Sequence, residues 1–277
     1  MSRPRLAVNY SPPLARLVEA GAVSIDIYKV PDWDDLIAAA CVSAPCYVHF
    51  PAELGATRLG LDPRRAADLM RRTGTRHLNA HLVPSRERFP DVAVGDVSPA
   101  ARRRVTEALV ADVEVLAEVV GAESVIVENV PYRGEEHGLL RAGVDPRVVA
   151  AVVEATGCGL LLDLSHALLT ARTLGLGLWG YVDALPTHAL RELHVSGVRP
   201  VDGRLRDHLP LTEDDVASLR AALARVRAGA WPAPETVAFE YGGVGPVFEW
   251  RTDPDVLAEQ VPLLRELVGS LDQAAPT

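Results

Sequence analysis

Short apolar runs alternate along the chain with longer segments that begin with helix-capping residues. The most apolar run, LLLDL at residues 160–164, is typical of a strand buried on both faces of a parallel sheet. A carboxylate buried where that strand ends needs a cation or strong hydrogen-bond donors. Comparable runs predict eight strands, at residues 6–10, 23–30, 46–50, 77–82, 124–130, 160–164, 190–196 and 236–241.

Several helix starts are marked by a capping side chain followed by proline, which suits the first helical position. Such pairs occur at Asp62-Pro63, Ser98-Pro99 and Asp145-Pro146, and Asp32 is a further candidate cap. Helices are predicted at residues 12–20, 32–40, 63–73, 99–120, from 146 onward, at 213–228 and at 253–271, and a helical region that contains Trp179 and Tyr181 is predicted after the strand at 160–164.

Eight strands that alternate with helices predict an α/β fold, a single (β/α)8 TIM barrel. The main alternative is a doubly wound open sheet, which usually has a glycine-rich turn after its first strand. The segment NYSPP at residues 9–13 is no such turn. Because no linker or low-complexity run divides the chain, residues 1–277 are predicted to form one domain with a short frayed C-terminal tail.

Composition narrows the function without deciding it. The formal charge of −9 argues against a broad nucleic-acid surface, which would need a basic face. No apolar run is long enough for a signal peptide or a membrane span, so a cytoplasmic protein is expected. Cys41, Cys46 and Cys158 form no CxxC pair, and we expect all three to be reduced.

Acidic residues and histidines stand where the predicted strands end. In a TIM barrel these positions converge on one face, where catalytic residues lie. Imidazoles and carboxylates together suit iron, manganese or zinc, and so many ligands could hold two or three ions. The candidates are His49, His81, Glu128, Asp163, His194 and Glu240 on the strands, with His166, Asp207 and His208 in the following segments.

A purely structural explanation remains open for each of these residues. Asp, Glu and His make up 45 of the 277 residues, so some strand ends would carry one by chance. Any single histidine could be a hydrogen-bonded, half-buried structural residue. The histidines favour the metal site, because five of the eight fall within the candidate set.

The ordered set of motifs resembles the multinuclear non-heme iron-dependent oxidative enzymes. This peptide-modifying, methanobactin-biosynthesis-like family is a branch of the xylose-isomerase-like TIM-barrel superfamily. The resemblance runs from about residue 6 to residue 270. Its markers are His49 in HFPAELG, His81 in LNAHLVP, Glu128 in VIVENVP, Asp163 in LLLDLSHA, His194 in ELHVSG, Asp207-His208 in RDHLPLT and Glu240 in AFEYGGVGP.

The resemblance implies two or three irons in mixed ferrous and ferric states, with dioxygen as co-substrate. It implies oxidation of a ribosomally made precursor peptide, often at cysteine, sometimes with a separate protein that presents the peptide. It places Glu128, Asp163 and His194 at the reaction centre, with Glu128 as the candidate bridging carboxylate. The family often has Asn at His166 and Asp-x-His at Asp207-His208, so the third ion and the role of Asp207 stay open.

Other interpretations remain. A divalent-metal sugar isomerase or epimerase would want a catalytic lysine or paired glutamates at strand ends, and this chain has the single lysine Lys29. A hydrolase of the endonuclease IV type shares the ligand types, but the charge of −9 counts against a DNA track. A metal- or peptide-binding scaffold without activity is the non-enzyme alternative.

Overall fold

A computed structural model describes residues 3–246 and 248–272 of the chain. The chain divides into two compact units, which we describe separately. The first unit comprises Met1–Val48 and Arg191–Thr277, and the second comprises His49–Leu190. The predicted frayed tail, residues 273–277, lies outside the described residues. None of the described helices is both long and apolar enough to span a membrane.

The strands of the described residues are β1 (Arg5–Asn9), β2 (Ile27–Val30), β3 (Cys46–Val48), β4 (Ala52–Leu54), β5 (Leu78–Leu82), β6 (Val125–Glu128), β7 (Gly159–Asp163), β8 (Leu190–Val195), β9 (Gly197–Val201), β10 (Arg204–Leu209) and β11 (Thr236–Phe239). The α-helices are α1 (Pro12–Glu19), α2 (Asp34–Ala40), α3 (Pro63–Thr73), α4 (Pro99–Val120), α5 (Pro146–Thr156), α6 (Leu164–Thr173), α7 (Leu178–Val182), α8 (Glu213–Arg227) and α9 (Pro254–Gly269).

The first unit contains five parallel strands in the order β3-β2-β1-β11-β8. Ala238 on β11 pairs with His194 on β8, which fixes the register of the strand that carries the histidine. Buried side chains from four of these strands pack together, namely Ala7, Ile27, Tyr47 and Ala238. The parallel alignment brings the carboxyl ends of these strands to one edge of the sheet.

The second unit contains four parallel strands in the order β7-β6-β5-β4. Leu160, Leu161 and Leu162 on β7 are fully buried, as the unbroken apolar run predicts. The long helix α4 buries residues at helical spacing, among them Val105, Leu109 and Val113. His81 pairs in register with Glu128, so two candidate ligands lie side by side at or next to the ends of neighbouring strands.

The α/β class is confirmed, but the described residues contain nine parallel strands rather than eight. The predicted strand at 46–50 is two strands, β3 and β4, separated by Pro51. Proline lacks the N–H that a continuous ladder needs. The side chain of Asn79 supplies the backbone hydrogen bonds of Phe50 between the two strands: it accepts from Phe50 N at 2.7 Å and donates to Phe50 O at 3.1 Å.

The segment after β8, where no strand is predicted, contains the antiparallel hairpin β9–β10. Its turn is Asp202-Gly203, where both residues have positive φ (52° and 73°), as tight hairpin turns require. Asp207 and His208 therefore lie on β10, next to an irregularity in the strand register. The Asp-Gly dipeptide was the available sequence signal for this hairpin.

Two smaller predictions are wrong. Asp32 does not cap α2, which begins at Asp34 with Trp33 in the capping position. Cys41 and Cys46 are not reduced but form a disulfide, because the turn between α2 and β3 brings their Cα atoms to 5.6 Å. Cys158 is free and buried, as expected of a small core residue, and burial raises the pKa of its thiol.

Candidate metal centre

In the second unit, two histidines and one glutamate direct ligand atoms toward one another. The Nε2 atoms of His49 and His81 lie 3.3 Å apart. Glu128 Oε2 lies 3.6 Å from His49 Nε2 and 3.2 Å from His81 Nε2. Glu128 is only 1% exposed at the end of β6. We refer to His49, His81, Glu128, Asp163 and His166 as the imidazole cluster.

Backbone carbonyls fix the orientation of two of these imidazoles. His81 Nδ1 lies 3.1 Å from Ala52 O, and His166 Nδ1 lies 2.9 Å from Asn129 O. Because a carbonyl oxygen only accepts, each Nδ1 is the donor, and in the neutral ring Nε2 is then the nitrogen with the lone pair. A partner for the remote nitrogen is the usual support of a metal-binding histidine.

Asp163 belongs to the same cluster and also has a structural role. Its Oδ1 accepts from His166 N at 2.7 Å and so caps α6. Its Oδ2 lies 3.7 Å from His166 Nδ1. One ligand atom each from Glu128, Asp163 and His166 lies within 4.8 Å of the others. The predicted strand end at Leu164 is therefore the first turn of a helix, which leaves Asp163 at the junction.

Asn129 positions this junction through its side chain. Its amide nitrogen donates to Asp163 O and its amide oxygen accepts from Asp163 N, each at 2.9 Å. Both residues are buried. Asn79 holds the break after β3 in a similar way and also places its amide nitrogen 3.2 Å from His49 Nε2.

The electrostatics of Glu128 fit a bound cation. Burial alone would raise the pKa of this carboxyl, but the charge of His81 and a hydrogen bond from His166 lower the pKa well below its usual range. Within the described residues, Glu128 Oε2 is buried and accepts no hydrogen bond. A buried acceptor beside imidazole lone pairs is a nitrogen and oxygen donor set that suits a divalent metal ion.

The first unit contains a second set of buried ionisable groups. Lys29 forms a short ion pair with Glu240 Oε1, and the same oxygen lies 2.9 Å from His194 Nδ1. On its other side, His194 Nε2 lies 2.7 Å from Glu192 Oε1, which also accepts from Tyr47 OH at 2.6 Å. We refer to Lys29, Tyr47, Glu192, His194 and Glu240 as the ion-pair cluster.

The pKa values in the ion-pair cluster follow from these contacts. Burial alone would lower the pKa of His194, but the charge of Glu240 and hydrogen bonds to Glu192 and Glu240 raise it to about 10. Burial alone would raise the pKa of the Glu192 and Glu240 carboxyls. Their cationic neighbours instead lower both pKa values, that of Glu240 more strongly. Burial and the adjacent Glu192 raise the pKa of Tyr47 well above its usual value.

His208 and Asp207 are placed differently from each other. His208 Nε2 lies 3.7 Å from Glu240 Oε2, and its backbone N–H donates to Ser196 Oγ at 3.0 Å. His208 adopts a positive φ of 55°, which turns its side chain out of the regular alternation of β10. The backbone oxygen of Asp207 accepts from Arg251 at 2.9 Å. A metal-binding role for the Asp207 carboxylate stays a prediction.

The structure thus groups eight of the nine predicted ligands within their own units. The second unit brings together His49, His81, Glu128, Asp163 and His166, and the first unit brings together His194, His208 and Glu240. Sequence reasoning missed Glu192 and Tyr47 and gave Lys29 no place in the site. A signal for Glu192 existed, because residues two apart on a strand face the same way and Glu192 precedes His194 by two.

Comparisons with known proteins agree with the fold. A curated UPF0276 protein of Caulobacter vibrioides (strain NA1000 / CB15N) is 43% identical over 53 residues, and the match spans only 19% of each chain. A D-tagatose 3-epimerase-like protein has the same fold (TM-score 0.59, 13% identity, 97% of this chain and 98% of that one). Endonuclease IV from Thermus thermophilus does as well (TM-score 0.56, 17% identity, 96% of this chain and 100% of that one).

The family assignment comes from a family model that matches residues 60–236, well over half of the chain. The match includes His81, Glu128, Asp163, His194 and the Asp207-His208 pair. The model describes RiPP precursor modification enzymes, that is, enzymes that modify ribosomally synthesised precursor peptides. The resemblance stated from the motifs is confirmed: the chain belongs to the RiPP precursor modification enzyme family MbnB/TglH/ChrH.

Proposed function

We propose that this protein is a multinuclear non-heme iron-dependent oxidoreductase that uses dioxygen to modify a ribosomally synthesised precursor peptide, often at cysteine. Two or three irons in mixed ferrous and ferric states would serve as cofactor. The partner would be the precursor peptide, in some cases presented by a separate protein. Family membership supports the reaction class. We also propose that the chain forms a single (β/α)8 barrel, which its fold similarity to a D-tagatose 3-epimerase-like protein supports.

The observation that carries the proposal is the imidazole cluster. Glu128 Oε2, buried and without a hydrogen-bond donor among the described residues, faces the Nε2 atoms of His49 and His81. A carboxylate buried in that way is costly unless a cation accompanies it. Iron is compatible with this mixed nitrogen and oxygen donor set, as manganese and zinc are.

The protein's own residues would bind the metal, orient the metal ligands and shield one of them from water. In the second unit His49, His81, Glu128, Asp163 and His166 would hold metal. In the first unit Glu240 and His208 would do so, joined by His194 on loss of a proton from its ring. Iron, when bound, would supply the one-electron chemistry with dioxygen that no side chain provides. Asn129 would fix Asp163, while Ala52 O would fix the tautomer of His81. Burial of Glu128 would keep bulk water from one of the ligands.

A sugar epimerase is the second candidate. The observation that favours it is the set of solved structures with the same fold, among them a D-tagatose 3-epimerase-like protein and D-allulose and D-psicose 3-epimerases at 12–16% identity. Identity this low supports the fold alone. Such an enzyme would use glutamates at strand ends, and Glu128 and Glu240 each stand at or next to a strand end of their own unit. An endonuclease-like hydrolase and a metal-binding scaffold complete the set that an experiment must separate.

The test is to purify the protein without oxygen and to record metal content and Mössbauer spectra on iron-57-enriched samples. We expect two or three irons per chain in coupled ferric and ferrous states, and oxygen uptake with a cysteine-containing precursor peptide. Zinc or manganese alone, with no oxygen uptake after iron reconstitution, would refute the oxidative proposal. Epimerisation of a ketose by the same preparation would move the assignment to the second candidate, whereas stable iron without turnover would favour the scaffold.

A further inference from the structure

Lys29 differs from every other strongly basic residue of the chain in its side-chain type. It is the only lysine in a chain with 28 basic residues, the other 27 being arginine. It lies on the buried strand β2 and is only 7% exposed. A buried ammonium is costly, so a chain that otherwise uses arginine has placed its single lysine where a compact charge is needed.

The contacts of Lys29 are directed to one oxygen of one carboxylate. Its Nζ pairs with Glu240 Oε1, the oxygen that also lies 2.9 Å from His194 Nδ1. The other oxygen, Glu240 Oε2, lies 3.7 Å from His208 Nε2, beyond hydrogen-bonding distance. The two oxygens of Glu240 are therefore different: Oε1 is held by two nitrogens and Oε2 faces an imidazole.

We propose that Lys29 is a positioning residue that reserves Glu240 Oε1, so that Glu240 binds metal through Oε2 alone. This inference rests on the proposed metal-dependent function. The ammonium suits the role because it is a point charge that can occupy one oxygen. A guanidinium presents parallel N–H groups that match both oxygens of a carboxylate at once. Lys29 also keeps a positive charge beside the site, which lowers the affinity for a cation.

Three substitutions at this position separate positioning from charge. Lys29→Met removes both the charge and the hydrogen bond, and Lys29→Gln removes the charge but keeps an amide donor for Oε1. Each should bind Mn²⁺ at least about tenfold more tightly than the wild type, because a nearby positive charge is gone. Lys29→Arg should bind at least about tenfold more weakly, because its fork takes both oxygens of Glu240 from the metal.

The metal-depleted full chain is titrated with Mn²⁺ alone. Calorimetry measures the affinity, and electron paramagnetic resonance records the spectrum of the bound Mn²⁺. The Mn²⁺ spectrum of Lys29→Gln should match the wild type, and that of Lys29→Met should differ, because Oε1 is then released. Arg102→Met is the matched control: it removes a partly buried cation paired with Asp145 at 2.7 Å, outside both clusters. It should leave Mn²⁺ affinity unchanged.

The order of affinities decides the proposal. The proposal is supported if Lys29→Met and Lys29→Gln bind Mn²⁺ more tightly than the wild type and Lys29→Arg binds it more weakly. A wild type that binds most tightly, or an arginine variant equal to it, overturns the role of Lys29 while leaving the metal site in place. A wild type that binds no Mn²⁺ overturns the metal site and this role together. If Lys29→Met unfolds, as a thermal scan would show, the comparison of glutamine with arginine gives the same decision.

Discussion

The two clusters use the same side-chain types in opposite ways. In the imidazole cluster, His81 and His166 direct Nδ1 to backbone carbonyls, the arrangement that supports a metal-binding histidine. In the ion-pair cluster, Glu192 and Glu240 are already neutralised by His194 and Lys29. The first arrangement leaves a buried carboxylate in need of a cation, whereas the second compensates itself. The difference indicates that only one cluster depends on metal for its electrostatic balance.

Removing one carboxylate from each cluster gives the largest expected contrast. Glu240→Gln leaves Lys29 buried without its anion, and breaking a buried pair in this way costs about 3–5 kcal/mol in the free energy of unfolding. Glu128→Gln in the imidazole cluster should change that free energy by only about 1 kcal/mol, because no ammonium depends on Glu128 and the amide oxygen remains an acceptor for His166. Denaturant unfolding of chelator-treated protein measures both.

In metal-loaded protein Glu128→Gln should become costly as well. Glu128→Gln removes a ligand from the cluster that depends on a cation, so metal binding should stabilise that variant less than the wild type. Equal costs for the two substitutions in the metal-depleted protein would remove the distinction between the clusters. The double variant Lys29→Met, Glu240→Gln supplies the control, since removing both partners should cost less than removing Glu240's charge alone.

Glu192 should act on metal binding through His194. If Glu192 orients His194 as the backbone carbonyls orient His81 and His166, Glu192→Gln should weaken Mn²⁺ binding about 10–100-fold, the usual cost of losing such a partner. Tyr47→Phe is the matched control, because it removes the other hydrogen bond to the same carboxylate oxygen. It should cost about 1 kcal/mol of stability and weaken Mn²⁺ binding less. Unchanged affinity in Glu192→Gln would make the pair purely structural.

Neutral amides, rather than ion pairs, should stabilise the imidazole cluster. Asn129→Ala leaves both buried backbone groups of Asp163 without their side-chain partner and should cost about 1–3 kcal/mol. Asn79→Ala should cost a similar amount, because it removes the side-chain partner of both backbone groups of Phe50. Asn9→Ala, which removes one partly buried bond to Gly242 O, should cost less. Because no ion pair is involved, the first two costs should be nearly independent of salt, and a strong salt dependence would contradict this account.

The ligand types and most elements could be predicted from the sequence, because both follow from local patterns. Asp62, Ser98 and Asp145 cap their helices as predicted, and each is followed by proline at the first helical position. His81 and Glu128 stand at or next to the ends of strands that pair in register. Periodicity and capping are properties of neighbouring residues, which a single sequence contains.

The contacts that organise the clusters could not be predicted in the same way. Tyr47 and Glu192 are 145 positions apart, and Lys29 and Glu240 are 211 apart. Which oxygen of Glu240 a distant ammonium occupies depends on the packing of β2 against its neighbours and on side-chain geometry. The split of residues 46–50 into two strands likewise depends on Asn79, 29 residues away from Phe50.

Ion pairs outside the two clusters also contribute to the pH dependence of the free energy of unfolding. Asp26 belongs to one such pair, and its contribution must be known before the clusters can be compared. Burial would raise the pKa of Asp26, but hydrogen bonds from Arg265 and from Leu6 N and the charge of Arg265 lower it below its usual value. A lowered folded-state pKa means that the stabilisation is present above the unfolded pKa of about 3.9 and is lost as the pH falls through the folded value. Since the side chain is 31% exposed, the contribution should be below about 1 kcal/mol.

Asp26→Asn should therefore lower stability slightly at pH 7 and flatten its decline under acid conditions, as measured by denaturant unfolding across the acid range. Asp68→Asn, in an exposed pair with Arg71, should do neither. An unchanged acid decline in Asp26→Asn would assign that decline to carboxylates elsewhere, with the buried Glu192 and Glu240 as the next to be tested.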